Sequence, residues 1–170
     1  QPKFVIIDGN AIVHRAYHAI PPLTTKDGTM VNAVYGFVSM MFKMLNELRP
    51  EYIAITFDEA APTFRHIEYK KYKATRVKAD QALYDQIPLV RQVAEAFQFP
   101  VFSKSGYEAD DVIGTLATMA HKEPVDVYIV TGDMDTLQLV NPKVKVYTLR
   151  KGLSDTIIYD EKMVNERFGF

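Results

Sequence analysis

The 170-residue sequence predicts an α/β fold, with a mostly parallel central sheet flanked by helices. Three observations carry this. Short apolar runs alternate with stretches of helical period, three of the runs end in aspartate, and one polar, basic segment interrupts the alternation. Alternation of strand-like and helix-like segments is the pattern of a parallel sheet covered by helices.

The strand-like runs are "KFVIID", "YIAITFD", "FPVFS" and "VDVYIVTGD", with "VKVYTL" and "TIIYD" late in the chain. Each is rich in β-branched or aromatic residues and bounded by turn formers. Between them, "VNAVYGFVSMMFKMLNEL" sets Phe37, Met40, Met41, Met44, Leu45 and Leu48 on one helical stripe, which reads as a core face. "ADQALYDQIPLVRQVAEAF" has helical period with an interruption near Pro88, and "EADDVIGTLATMAHK" and "DEKMVNERF" complete the set. No repeat, low-complexity tract or Gly/Ser linker divides the chain, so residues 1–170 read as one domain.

Composition narrows the chemistry. A hydrophobic content of 48% is enough for a real core. The absence of cysteine excludes disulfides, thiolate zinc sites and cysteine nucleophiles, and fits a reducing, cytoplasmic setting. The first apolar run is too short for a signal sequence, and no membrane segment follows, so no membrane partner is expected.

Net charge is −1, but it is unevenly spread. Within "FRHIEYKKYKATRVK", Arg65, Lys70, Lys71, Lys73, Arg76 and Lys78 oppose only Glu68, a local +5 that leaves −6 on the rest of the chain. The surrounding segment, about residues 60–80, is too polar for a core helix and too long for an ordinary connection. Lys70, Lys73 and Arg76 recur at helical intervals among Phe64, Tyr69 and Tyr72. Cations that follow phosphates and rings that stack on bases are the mixture that binds single-stranded nucleic acid. A solvated amphipathic helix with inward tyrosines is the plain alternative.

The acidic residues complement this segment. In a parallel sheet the strand C-termini share one edge, where ligands bind. Asp8, Asp58 and Asp133 end three runs, Asp135 follows, and "GYEADD" opens the helix after a fourth run with Glu108, Asp110 and Asp111. Four segments thus aim up to seven carboxylates at one place. Two unit charges about 4 Å apart repel by roughly 4 kcal/mol at an effective dielectric near 20, so such a cluster needs protons or metal, and metal is favoured. An all-oxygen donor set suits Mg²⁺ or Mn²⁺, and two such ions can drive phosphodiester hydrolysis. Each aspartate taken alone is better explained as a helix cap or turn residue, and it is the convergence of four segments that favours a site. Asp111 is the weakest member of the cluster, because residues so close along a helix cannot all share one face.

Together "IDGNAIVHRAYHA", "NAVYGF", "TFDEAAPTFRHIEYKKYKATR", "GYEADDVIGTLA" and "VTGDMDTLQLV" resemble the 5′-nuclease domains at the N-terminus of bacterial DNA polymerase I, in the flap-endonuclease family with its PIN-like fold. The likeness runs from Lys3 to the chain end. The resemblance implies a Mg²⁺-dependent, structure-specific nuclease acting on DNA with a 5′ flap or end and on RNA primers, in replication and repair. Carried over by position, Asp8, Asp58, Glu108, Asp110 and Asp111 would form the tighter metal site, and Asp133 and Asp135 would help to hold a second ion. "FRHIEYKKYKATR" would form part of a helical arch, with Lys73 and Arg76 acting on the scissile phosphate and Tyr72 stacking. Arg15, Arg65 and Lys70 would join these as nucleic-acid contacts. The family continues into further second-metal ligands and a helix-hairpin-helix that this sequence lacks, and the first residue is Gln1. The expectation is therefore a fragment of a longer cytoplasmic, nucleoid-associated protein, continuous with further nuclease and polymerase domains.

Other classes fit less well. A Mg²⁺-binding receiver domain expects paired acids after the first strand, where Gly9 and Asn10 follow Asp8, and a dehalogenase-type phosphatase wants an aspartate where Asn10 stands. "HRAYH" lacks the glutamate of a zinc-protease motif, and no Gly-rich phosphate loop occurs. A nucleic-acid-binding fragment without turnover is the serious rival, since the missing ligands bear on the second ion.

Overall fold

The computed structural model describes residues 1–74 and 78–169. Six strands form one sheet: β1 (Lys3–Asp8), β2 (Tyr52–Thr56), β3 (Val101–Phe102), β4 (Asp126–Val130), β5 (Val144–Lys151) and β6 (Asp155–Tyr159). Their order is β3-β2-β1-β4-β5-β6, with every pair parallel except the β5–β6 hairpin. Strand order reverses at the β1–β4 pair, which creates a topological switch point beside the end of β1.

The helices are α1 (Gly9–Ala19), α2 (Asn32–Leu48), α3 (Phe64–Glu68), α4 (Gln81–Tyr84), α5 (Gln86–Ala96), α6 (Ala109–Ala120) and α7 (Glu161–Phe168), with a 3₁₀ helix over Met134–Leu139. The period-2 alternation of the strands divides the core in two. Val5 and Ile7 of β1, with Tyr128 and Val130 of β4, face α1, α2 and α5, and the Phe37–Leu48 stripe packs there. Ile6, Val127 and Ile129 point the other way, onto Ile113 and Ala117 of α6 and onto Leu137 of the 3₁₀ helix. Among the described residues no helix is long and apolar enough to cross a membrane.

Three local differences from the sequence reading have physical causes. Helix α1 has no clear signal in the sequence, because His14, Arg15 and His18 break up its apolar pattern, although Ile12, Val13 and Ala16 are fully buried. The break expected near Pro88 falls at Asp85 instead; Pro88 lies within the first turn of α5, where a missing N–H costs nothing. Among the described residues of the basic segment the helical spacing yields only α3, and residues 70–74 form turns, with Lys73 in the left-handed region at φ 54°. A continued helix would stack Lys70, Lys71 and Lys73 along one stretch of surface. The turns instead carry Lys73 onto an acidic partner.

Candidate active site

Three acidic segments enter the site as helix caps. Asp8 ends β1 and caps α1, with its Oδ1 accepting from the Ala11 N–H at 3.0 Å. Asp133 follows β4 and caps the 3₁₀ helix by accepting from the Asp135 N–H at 2.9 Å. Glu108 precedes α6, and its own N–H donates to Asp111 Oδ2 at 2.9 Å, closing the first turn. Asp58 accepts from the Ala109 N–H at 2.7 Å, which ties the end of β2 to the start of α6. Capping and clustering, alternatives for a single aspartate in the sequence, are the same placement here. These three helices start at the C-terminal edge of the sheet and present their N–H groups there, each with its cap carboxylate.

The carboxylates act on one another. Burial pushes the Asp8 carboxyl up to about 6, against the opposing hydrogen bonds from Ala11 and Thr131, and Asp110 and Asp58 push it further in the same direction. Asp110, at the mouth of the crevice, is raised first by desolvation and then by Asp133, Asp58 and Glu108. A crevice of about 200 Å³ is lined by Glu108, Asp110, Asp111 and Asp135 together with Arg65 and Tyr72. All seven predicted carboxylates therefore meet at the switch-point edge.

Glu108 and Asp111 are neutralised by the basic segment. Arg65 pairs with Asp111 through both terminal nitrogens, at 2.7 and 2.8 Å, and reaches Glu108 at 3.3 Å. The Tyr72 hydroxyl donates to Glu108 Oε2 at 2.9 Å and Lys73 Nζ to Oε1 at 2.6 Å. Burial raises the Glu108 carboxyl, but Lys73 and Tyr72 outweigh it and the net shift is downward. Asp111 is held below the usual carboxylate range by Arg65. The sequence reading required protons or metal for neutralisation; the guanidinium, ammonium and helix N–H groups do much of it. Consistently, among the described residues no three acids or histidines close around a point as a ready cation cage.

The remaining predicted residues divide. Lys70 stands exposed. Arg15 lies elsewhere, its guanidinium hydrogen-bonded to the Leu149, Arg150 and Gly152 carbonyls at the β5–β6 hairpin, at 3.0 to 3.3 Å. Arg76 lies outside the described residues.

The sequence reading missed two supports. Thr131, fully buried, donates to Asp8 Oδ2 at 2.9 Å and accepts from the Asp133 N–H at 3.0 Å, so one hydroxyl links two acidic segments. Asn10 Oδ1 accepts from the Asp58 N–H at 2.9 Å. The available signal was a polar residue at an otherwise apolar strand end, in "IVTGD" and "IIDGN".

A mostly parallel sheet, an acid-lined crevice at its switch point and a cationic segment on the crevice wall define the class, an α/β domain with an acidic site at its strand C-termini. The chain belongs to the family of 5′–3′ exonuclease N-terminal, resolvase-like domains, whose family model matches residues 3–169. It is 40% identical over 169 residues to DNA polymerase I of Bacillus subtilis, covering 99% of this chain and 19% of that protein. To DNA polymerase I of Mycobacterium leprae it is 40% identical over 171 residues, with the same shares covered. The chain thus spans about a fifth of the length of these relatives. Among solved structures, T5 5′-exonuclease with bound zinc superposes with a TM-score of 0.71 at 18% identity, over 98% of this chain and 61% of that one. Human GEN1 in complex with Holliday junction DNA gives 0.60 at 14% identity, over 99% of this chain and 40% of that one. Both share the fold.

Proposed function

We propose that this domain hydrolyses phosphodiesters at 5′ single-stranded ends or flaps of DNA and of RNA primers, as part of a longer polymerase-linked protein, using two divalent ions, Mg²⁺ or Mn²⁺. The observation that carries the reading is the convergence of Asp8, Asp58, Asp110 and Asp133 on one edge, where burial first and neighbouring carboxylates second raise Asp8 and Asp110. An all-carboxylate donor set gathered at one edge suits hard divalent cations. Asp8, Asp58, Asp110 and Glu108 would hold one ion, with Asp133 and Asp135 toward the second. When bound, such ions supply an activated water and stabilise the attacking and leaving oxygens. The T5 exonuclease crystallised with zinc and GEN1 with junction DNA support a metal and a nucleic-acid partner by analogy.

The chain's own groups do the rest. Thr131 and the Ala11 and Ala109 N–H groups fix the Asp8 and Asp58 carboxylates. Lys73, now on Glu108, exchanges its carboxylate for a substrate phosphate, and Arg76 joins it on the same segment. Tyr72, beside Lys73, offers a ring to the adjacent base.

A nucleic-acid-binding domain without turnover is the second reading, favoured by the engagement of Glu108 and Asp111 with Arg65 and Lys73. A 5′-labelled flap substrate incubated with Mn²⁺ separates the two: cleavage by the wild type that Asp58→Ala abolishes supports the enzyme, and binding without cleavage supports the rival. Lys73→Ala should weaken binding for all sequences and lower the salt slope by about one; an unchanged slope removes Lys73 from the phosphate path.

A further inference from the structure

A second, wider hollow of about 490 Å³ lies on the far side of Asp111, which borders both openings. It is lined by Phe102 at the end of β3, Lys104 and Tyr107 in the following turn, and Val112 and Leu116 of α6. The rings are held open to solvent: Phe102 is 41% exposed, Tyr107 47% and the neighbouring Phe64 36%. Phe64 and Tyr107 meet with centroids 5.6 Å apart, and the Arg65 guanidinium lies 4.6 Å from the Phe64 ring.

This surface is built rather than incidental. The Phe64 N–H donates to the Gly106 carbonyl at 2.9 Å, pinning the start of α3 to the turn that carries Tyr107. That turn needs Gly106 at φ +83°, a conformation in which a side chain is strained. Fixed aromatic faces lose little entropy on binding, and clustered apolar rings left open to solvent mark a surface suited to a ligand. Arg65 lies against the Phe64 ring and Lys104 lines the hollow, and Asp111 borders both the hollow and the acid crevice.

We propose that Phe64, Tyr107 and Phe102 form a stacking platform for the bases of a single strand whose backbone passes Lys104 on its way to or from the acid crevice. Rings supply the sequence-independent π-faces, and flanking cations neutralise the phosphates between stacked bases. The proposal rests on the nucleic-acid reading above and adds a second contact region to it.

The test uses the whole chain in EDTA, so that the strand stays intact, and a fluorescein-labelled duplex with a single-stranded 5′ arm, followed by fluorescence anisotropy. Abasic sites are moved one position at a time along the arm. One or two adjacent positions should weaken wild-type binding about tenfold, with the penalty lost in Tyr107→Ala and kept in Tyr107→Phe. If Tyr107→Ala melts early, Phe102→Ala takes its place. Binding with no abasic penalty at any position, or with the same penalty in the alanine variant, overturns the platform and leaves the rings to a protein partner. Mn²⁺-dependent flap cleavage by the same preparation reports separately on the nuclease reading: cleavage without an abasic penalty overturns the platform alone, and loss of both binding and cleavage overturns both.

Discussion

Arg65 grips Asp111 through both terminal guanidinium nitrogens, at 2.7 and 2.8 Å, across 46 positions of sequence. The pair locks the foot of the basic segment onto the first turn of α6 and leaves Asp110, the neighbouring carboxylate, facing Asp133 and Asp58. One arginine thus separates a paired half of the acid site from a crowded half.

Arg65→Ala should therefore destabilise the domain by about 1 kcal/mol, a charge-assisted bidentate pair discounted for its partial exposure. Asp111 lies below its ordinary pKa, with Arg65 the largest cause. A depressed folded pKa contributes stability above the unfolded value, near 3.9, that is lost as pH falls through the folded value. Urea unfolding in EDTA should show the full difference from wild type at pH 7 and a shrinking one below about pH 4. An equal difference at pH 3 and pH 7 would assign the loss to packing.

Asp8 has the opposite sign. Its folded carboxyl titrates at about 6, chiefly because it is buried. A raised carboxyl pKa favours folding below the unfolded value and costs stability as pH climbs through 6. Asp8→Asn keeps an acceptor for the Ala11 N–H and removes the charge, so it should raise stability above pH 7 by up to about 3 kcal/mol, with the gain vanishing near pH 4. Thermal melts in EDTA from pH 4 to 8 check this, and the same variant should not cleave a flap.

Divalent ions should reverse that penalty. Mn²⁺ added to EDTA-stripped protein should raise the melting temperature, reaching about 2.7 kcal/mol at a hundredfold excess over Kd. Because Asp8 and Asp110 hold their protons higher than usual, affinity by titration calorimetry should be weaker at pH 5.5 than at pH 7.5, with protons released on binding. A pH-independent Kd would remove these two carboxylates from the ion.

Gly9 tests how the core sets the site. A Cβ there would lie 2.5 Å from the ring of Phe57, which is 1% exposed and immediately precedes Asp58. Gly9→Ala should cost about 1–3 kcal/mol through overpacking and should reduce flap cleavage by displacing Asp58. Full cleavage in a destabilised variant would uncouple Phe57 from the site.

The strands, the α2 stripe and the acids at the strand ends were legible because each depends on local periodicity and on the shared edge of a parallel sheet. "FVIID" alternates its side chains whatever surrounds it, so Ile6 and Ile7 part to opposite cores and Asp8 arrives at the rim. Helix α1 was harder, since its polar face carries three basic or imidazole side chains and only packing shows which face is buried.

The placement of like charges together could be read along the chain, since strand direction and helix starts suffice to bring Asp8, Asp58, Glu108 and Asp133 to one rim. The pairing of opposite charges could not. Whether Lys73 points to solvent, phosphate or Glu108, and whether Arg15 serves the crevice or the β5–β6 hairpin, turns on distances of a few ångströms between segments far apart in sequence. Long cationic side chains have many rotamers of similar local energy, and only the folded surroundings select among them.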